Sequence, residues 1–395
     1  MRRQAYSVTP GAPLLNASGN SQIPFNRSSL QGRELEYIFD TLRIGQIAGD
    51  QTYSRKCQAF LRESLGVPCA LVTTSCTHAL EMTCLLLGIG PGDEVIVPSF
   101  TFVSTANAFA VHGARPVFCD IRPDTLNLDE GKLEPLITSR TKAIVAVHYA
   151  GIGCEMDAIM DVATRHRIAV VEDNAHGLFG RYRGRLLGTF GDFATQSFHE
   201  TKNITCGEGG ALIVNDPQYI ERAEIIREKG TNRARFFRGQ IDKYSWVDVG
   251  SSYVMSDVLA AFLFAQLEQW KTIQASRAAI WARYQEGLAD WAVTQGIRPP
   301  TVPVHCDQTH HMYYLLMPTL EARTAFIAHL RAAGILAVFH YLPLHASDYA
   351  RRWGNGPGDC PISEDVSDRL VRLPFYTNLS ESDQLRVIDC IRSFR

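Results

Sequence analysis

The chain has 395 residues, 46% of them hydrophobic and 20% charged, and its 39 basic and 41 acidic side chains leave a net charge of −2. That length needs more than one small core, and that balance excludes a strong field for nucleic acid or for an acidic membrane surface. The 10 cysteines show no C-x-x-C spacing, and several lie inside apolar runs, so a disulfide framework or a thiolate zinc site is excluded in favour of reduced, buried thiols.

No apolar stretch is long enough to cross a bilayer, and no apolar signal core follows Met1-Arg2-Arg3, so a cytoplasmic location is expected. Residues 1–22 carry Ser, Asn, Gly and Pro without period and read as a loose tail. Amphipathic helices are expected over 34–43 and 54–65, stopped by Gly45 and Gly66. Residues 69–73 read as a short strand that runs through Ser75-Cys76-Thr77-His78 into a helix ending near Gly88. Such a helix start leaves free N–H groups, which suit a phosphate. Simple N-capping by Ser75 or Thr77 explains the same residues without a ligand.

Strands are expected over 94–97, 116–119, 143–147 and 168–171, with helical segments over 100–111, 129–137 and 156–166 between them. This β–α alternation of short apolar strands predicts a mainly parallel sheet covered on both faces. Asp173 follows the strand over 168–171, at the carboxyl end where open α/β sheets gather ligands; an acidic loop residue capping the next segment is the alternative. The run 192–198 leads into Ser197-Phe198-His199-Glu200-Thr201-Lys202-Asn203, then the turn Gly207-Glu208-Gly209-Gly210 and a second strand over 211–214. A lysine between two strands, beside glycines that admit close approach, is placed to meet a ligand, although an idle loop lysine fits the same stretch.

A capped helix is expected over 216–229, and 231–252 reads as a long loop of the kind that is often functional. A long helical stretch over 256–291, allowing one interruption, leads to a proline-marked linker (Pro299, Pro300, Pro303). The remainder reads as a smaller α+β unit: strands over 312–317 and 336–339, and helices over 321–333, 363–371 and 380–394. His310, His311, His340 and His345 lack Cys or carboxylate partners at ligand spacing, so no metal is expected.

A Ser-Cys-Thr helix start, an aspartate at a strand end and a lysine between later strands are what a pyridoxal phosphate enzyme needs: phosphate donors, an anion for the pyridine nitrogen and an amine for the aldehyde. With Pro98-Ser99-Phe100-Thr101-Phe102-Val103-Ser104-Thr105, His148-Tyr149-Ala150-Gly151, Glu228-Lys229-Gly230-Thr231-Asn232 and Phe339-His340-Tyr341-Leu342-Pro343, the chain resembles the DegT/DnrJ/EryC1/StrS sugar aminotransferases. Within that family it is most similar to the TDP-4-keto-6-deoxyglucose 4-aminotransferases.

The resemblance implies an α/β chain with the type I aspartate aminotransferase fold: a large cofactor-binding domain over 23–254, a connecting helix over 255–292 and a small C-terminal domain over 293–395. It implies Lys202 as the Schiff-base lysine and Asp173 as the partner of the pyridine nitrogen. His176 would bond the ring oxygen, Phe102 would stack on the ring, and Ser75, Cys76 and Ser197 would hold the phosphate of pyridoxal 5'-phosphate, with pyridoxamine 5'-phosphate as the intermediate form. Lys229, Asn232, His340 and Tyr341 are expected at the nucleotide-sugar. Relatives place an Asn where Val254 stands, so that phosphate contact is not carried over.

The implied reaction moves an amino group from L-glutamate to C4 of TDP-4-keto-6-deoxy-D-glucose, in a homodimer with its sites at the interface. A C3 aminotransferase, a dehydratase of the same fold and a non-catalytic cofactor-binding regulator are the alternatives. Relatives with dehydratase activity replace the lysine by His, and a regulator would have lost Lys202 or Asp173.

Overall fold

The structure, a computed structural model, describes residues 22–395, so positions 1–21 of the expected tail lie outside the described residues. Seven strands form the large sheet: β1 (Cys69–Thr73), β2 (Glu94–Pro98), β3 (Arg115–Cys119), β4 (Thr141–Val147), β5 (Ala169–Asp173), β6 (Phe193–Ser197) and β7 (Gly210–Val214). Their order across the sheet is β1-β7-β6-β5-β4-β2-β3. Neighbours from β6 to β3 run parallel, and β7 alone is antiparallel to both of its neighbours, β1 and β6.

Strand alternation sends successive side chains to opposite faces, and both faces are covered. Val95, Val97, Val145 and Val171 enter one core with the helices Cys76–Leu86 and Val103–Ala110. Ile96, Ile144, Ala146 and Val170 enter another with the helix Met156–His166. On that second side of β1, β6 and β7, Val72, Ala194 and Ile213 meet the helices Thr52–Leu65 and Asp257–Glu268. Gly45 and Gly66 take left-handed conformations at the ends of the first two helices, as their place in the sequence requires.

Several local expectations fail for identifiable reasons. Residues 129–137 form two 3₁₀ turns, Glu130–Lys132 and Glu134–Leu136, because Gly131 and Pro135 interrupt an α-helix. Asp216 caps a 3₁₀ turn rather than the helix itself, which spans Ile220–Arg227, and the long loop after it contains the short helix Arg233–Phe237. The long helical stretch, by contrast, carries the one interruption allowed for it, as two helices, Asp257–Glu268 and Trp270–Thr294, that meet at Gln269.

A separate core gathers Tyr284 and Leu288 of the later helix, Ile23 from the start of the described chain, and the helices Leu320–Ala332 and Glu381–Arg392. Its strands are β8 (Tyr314–Leu316) and β9 (Leu370–Arg372), paired antiparallel with Tyr314 opposite Arg372. The helix expected over 363–371 ends at Arg369, and β9 follows it directly. The strand expected over 336–339 is reduced to a single bridge, Val338 to Arg372. No helix among the described residues is long and apolar enough to cross a membrane, and all ten cysteines are free.

Candidate active site

The carboxyl ends of β1, β4, β5 and β6 converge on a cavity of about 740 Å³, within the ~300–1,000 Å³ common for ligand sites. Six of the expected cofactor residues, Ser75, Cys76, Asp173, His176, Ser197 and Lys202, line it together. Phe102, His340 and Tyr341 line it as well, whereas Lys229 and Asn232 do not. Asn232 instead accepts from the Ser245 amide at 2.8 Å, and Lys229 sits 3.4 Å from Glu228.

At one end of the cavity the helix Cys76–Leu86 begins. Ser75 is its N-cap: its hydroxyl oxygen accepts from the His78 amide at 3.1 Å. Capping leaves room for an anion here, because the Cys76 and Thr77 amides have no acceptor among the described residues. Gly210 of β7 makes this approach possible, since a Cβ there would stand 2.4 Å from the Cys76 nitrogen. Val254 pairs with Thr73 through a backbone bridge.

At the other end, Asp173 terminates β5 with 5% of its surface exposed. One carboxylate oxygen accepts from Thr105 Oγ1 at 2.7 Å and the other from the Ala175 amide at 3.3 Å. Burial pushes its pKa up, against the pull of Thr105 and of the Lys202 charge. It is thus an underbonded anion that a ring N–H⁺ would complete. Its neighbour Glu172 points the other way and is saturated, accepting from the Gly188, Phe190 and Gly191 amides at 2.6–2.9 Å and from His148 Nε2 at 2.9 Å. The Cys154 amide donates to His148 Nδ1, which places the imidazole proton on Nε2.

His176 stacks on His311 at 4.0 Å, and its buried Nδ1 has no partner. Burial pushes His176 well down, so it is a neutral ring with one nitrogen unspent, as a hydrogen bond to a cofactor oxygen requires. Lys202 lies between these ends. Burial carries its pKa down to about 8; the Arg372 charge adds to this, while Cys76 and Asp173 oppose it. Asn203 fixes the turn by donating to the Thr309 carbonyl at 2.8 Å and meeting His311 Nδ1 at 2.9 Å. Phe102 precedes the helix Val103–Ala110 and is 57% exposed, with its face free to cover a ring. His340 stacks on Tyr341 at 3.6 Å and is held by the Tyr149 hydroxyl at 2.7 Å from Nδ1.

Sequence reasoning missed Thr105, His311 and Arg372 in this cavity. Thr105 sits in the quoted string that carries Phe102, and its helical spacing from Thr101 was the available signal. Arg372 was hidden by its assignment beyond the end of a helix. Among the described residues no group of three or more His, Cys, Asp or Glu is arranged to hold a metal ion.

A depressed lysine, an underbonded aspartate and free amides at a helix start fit pyridoxal phosphate at its amine, ring and phosphate contacts. With the type I fold they define a pyridoxal-phosphate-dependent transferase. The chain belongs to the DegT/DnrJ/EryC1/StrS aminotransferase family, which matches residues 28–392. It is 34% identical over 386 residues to the spore coat polysaccharide biosynthesis protein SpsC of Bacillus subtilis, covering 94% of this chain and 97% of that protein. Among solved structures it is similar to the putative sugar aminotransferase Spr1654 from Streptococcus pneumoniae in its PMP form, with 28% identity, a TM-score of 0.88, and 94% and 97% of the two chains covered. DesV of S. venezuelae, solved in complex with a ketimine intermediate, shows 31% identity and a TM-score of 0.85 over 94% and 98% of the chains. The protein is an enzyme whose cofactor is pyridoxal phosphate, with pyridoxamine phosphate as the intermediate form.

Proposed function

We propose that the enzyme transfers an amino group from L-glutamate to C4 of TDP-4-keto-6-deoxy-D-glucose, giving a TDP-4-amino-4,6-dideoxyhexose. The observation that carries the aminotransferase reading is Lys202 at a pKa of about 8 in one cavity with Asp173 and His176. The sugar is supported by the family, by SpsC, whose name places that protein in polysaccharide biosynthesis, and by the resemblance of the cavity strings.

The bound cofactor supplies an electron sink and carries the amino group between the two half-reactions. Lys202, largely neutral just above pH 8, removes the proton from the donor's Cα and later delivers one to the sugar carbon that receives nitrogen. Asp173 would keep a proton on the cofactor's ring nitrogen, and Thr105 and the Ala175 amide hold that carboxylate in place. The Cys76 and Thr77 amides and the Ser197 hydroxyl anchor the phosphate. His340 and Tyr341 wall the substrate side, where Phe339 (53% exposed) and Leu342 (70% exposed) open towards solvent.

A homodimer is part of this reading. The helix Glu34–Ile44 leaves Leu35, Phe39 and Leu42 exposed along one face, and Lys229 and Asn232 are not among the described residues that line this cavity, which suits a role at the neighbour's site.

The purified enzyme should be yellow, L-glutamate should bleach the visible band, and the keto-sugar should restore it with a 4-amino product identified by mass and NMR. Colour that glutamate leaves unchanged, or a product aminated at C3, refutes this assignment.

A further inference from the structure

Elsewhere in this fold a single partner fixes the tautomer of a buried imidazole. The Cys154 amide donates to His148 Nδ1 and leaves that ring's proton on Nε2. Asn203 donates its amide to the Thr309 carbonyl, so its oxygen faces His311 Nδ1 at 2.9 Å and accepts the proton carried there. For His176 the partner is Tyr341. The tyrosine hydroxyl lies 3.5 Å from His176 Nε2 and has no other hydrogen-bond partner among the described residues. The two residues are 165 positions apart, so the contact joins the C-terminal unit to the segment that follows β5.

Tyr341 is held for this contact. Its ring stacks on His340 at 3.6 Å and meets the Phe100 ring edge-on at 5.5 Å. Burial pushes its pKa up against the pull of Arg372, so the hydroxyl keeps its proton. Donation to His176 Nε2 spends that proton, and an accepting Nε2 leaves the proton of the neutral ring on Nδ1. The stack on His311, 4.0 Å away and within 17° of parallel, holds the plane of the imidazole. His176 thus presents an N–H at Nδ1, its buried atom without a partner. The opposite tautomer would put a lone pair there and leave the tyrosine proton without an acceptor. The ring oxygen of bound pyridoxal phosphate carries negative charge, which an N–H stabilises and a lone pair repels.

We propose that Tyr341 is a positioning residue for the cofactor: its hydroxyl holds His176 in the tautomer protonated on Nδ1 and so makes it a donor to the cofactor's ring oxygen. This rests on His176 as the partner of that oxygen and not on the identity of the sugar. Tyr341 then serves both half-reactions, whereas a residue that only walled the sugar would serve one. The contact also ties the cofactor's hydrogen bonding to the seating of the C-terminal unit.

The test reads the tautomer by NMR of holoenzyme labelled on its histidine nitrogens, with His176→Gln used to assign the signals. Wild-type His176 should show a protonated Nδ1 and a bare Nε2 at neutral pH. In Tyr341→Phe the form protonated on Nε2 should become populated and the visible band should move. Cofactor affinity, titrated by fluorescence on the stripped protein, should fall about 10-fold, one hydrogen bond to an ionised oxygen being weakened. His176→Gln keeps an N–H donor that has no tautomer to choose. Adding Tyr341→Phe to it should leave the band and the affinity where His176→Gln put them, which a general disturbance of the fold would not.

A wild-type His176 protonated on Nε2, or a tautomer that Tyr341→Phe leaves unchanged, overturns the inference. So does an equal further loss in the His176→Gln background, because the hydroxyl would then act elsewhere. A switched tautomer with an unmoved band removes His176 from the ring oxygen, and the inference falls with it. An enzyme that shows all the expected shifts but never aminates the keto-sugar leaves the inference standing and refutes the proposed acceptor.

Discussion

Replacing Lys202 by methionine should stabilise the cofactor-free protein. The amine titrates near 10.5 in an unfolded chain and near 8 in the folded one, mainly because burial disfavours its charge. At about 1.4 kcal/mol per tenfold change in proton affinity, charging it in the folded state costs about 3 kcal/mol. Water reaching the cavity screens part of this, so a gain of about 1–3 kcal/mol is expected from Lys202→Met. The sign follows from linkage. Below pH 8 the lysine is charged in both states and the folded protein bears the whole cost. Between about 8 and 10.5 the folded amine is already neutral while the unfolded one is not, so the wild type gains stability as pH rises and the advantage of the variant shrinks. Urea unfolding of both cofactor-free proteins at pH 7 and pH 10 measures this directly. A variant that is no more stable at pH 7, or whose gain is the same at both pH values, refutes the account of a lysine strained by burial.

Other substitutions probe the neighbouring contacts. Thr105→Val removes the 2.7 Å donor to Asp173, so the carboxyl should hold its proton more tightly and the acidic limb of the kcat profile should move to higher pH, with kcat down about 10-fold. An unmoved limb would show that Thr105 does not tune Asp173. Gly210→Ala puts a Cβ 2.4 Å from the Cys76 nitrogen and should weaken cofactor binding at least about 10-fold, read from fluorescence titration of the cofactor-free protein. Unchanged affinity would mean that the helix start can move without loss. Glu172→Gln leaves buried donors poorly matched and should lower stability by about 3 kcal/mol or more in chemical denaturation, whereas a loss under 1 kcal/mol would contradict its anchoring role.

The sheet was legible because its strands are short runs with apolar centres: 69–73 was read to the residue, as was the helix Met156–His166. Lys202, Asp173 and the Ser75 turn were legible because their chemistry depends on place along an alternating chain, at strand ends and helix starts. What escaped lies in the C-terminal unit, where contacts are remote in sequence. β9 is three residues long, follows a helix without a turn, and pairs with a strand more than fifty positions earlier, so no local period marks it. Arg372 was lost with it. The 3₁₀ turns over 129–137 were misread because apolar spacing suggested a helix that Gly131 and Pro135 forbid.

Glu172 and Asp173 show what two adjacent carboxylates on one strand can divide between them. The first spends every lone pair on the scaffold and is locked from behind. The second can then stay hungry for a partner without drifting, because its backbone is pinned one residue away. The reactive group is kept waiting by a neighbour that has nothing left to offer. Chemistry at this strand end can accordingly be altered by changing Asp173 while the frame holds, whereas changing Glu172 loosens the frame and takes the chemistry with it.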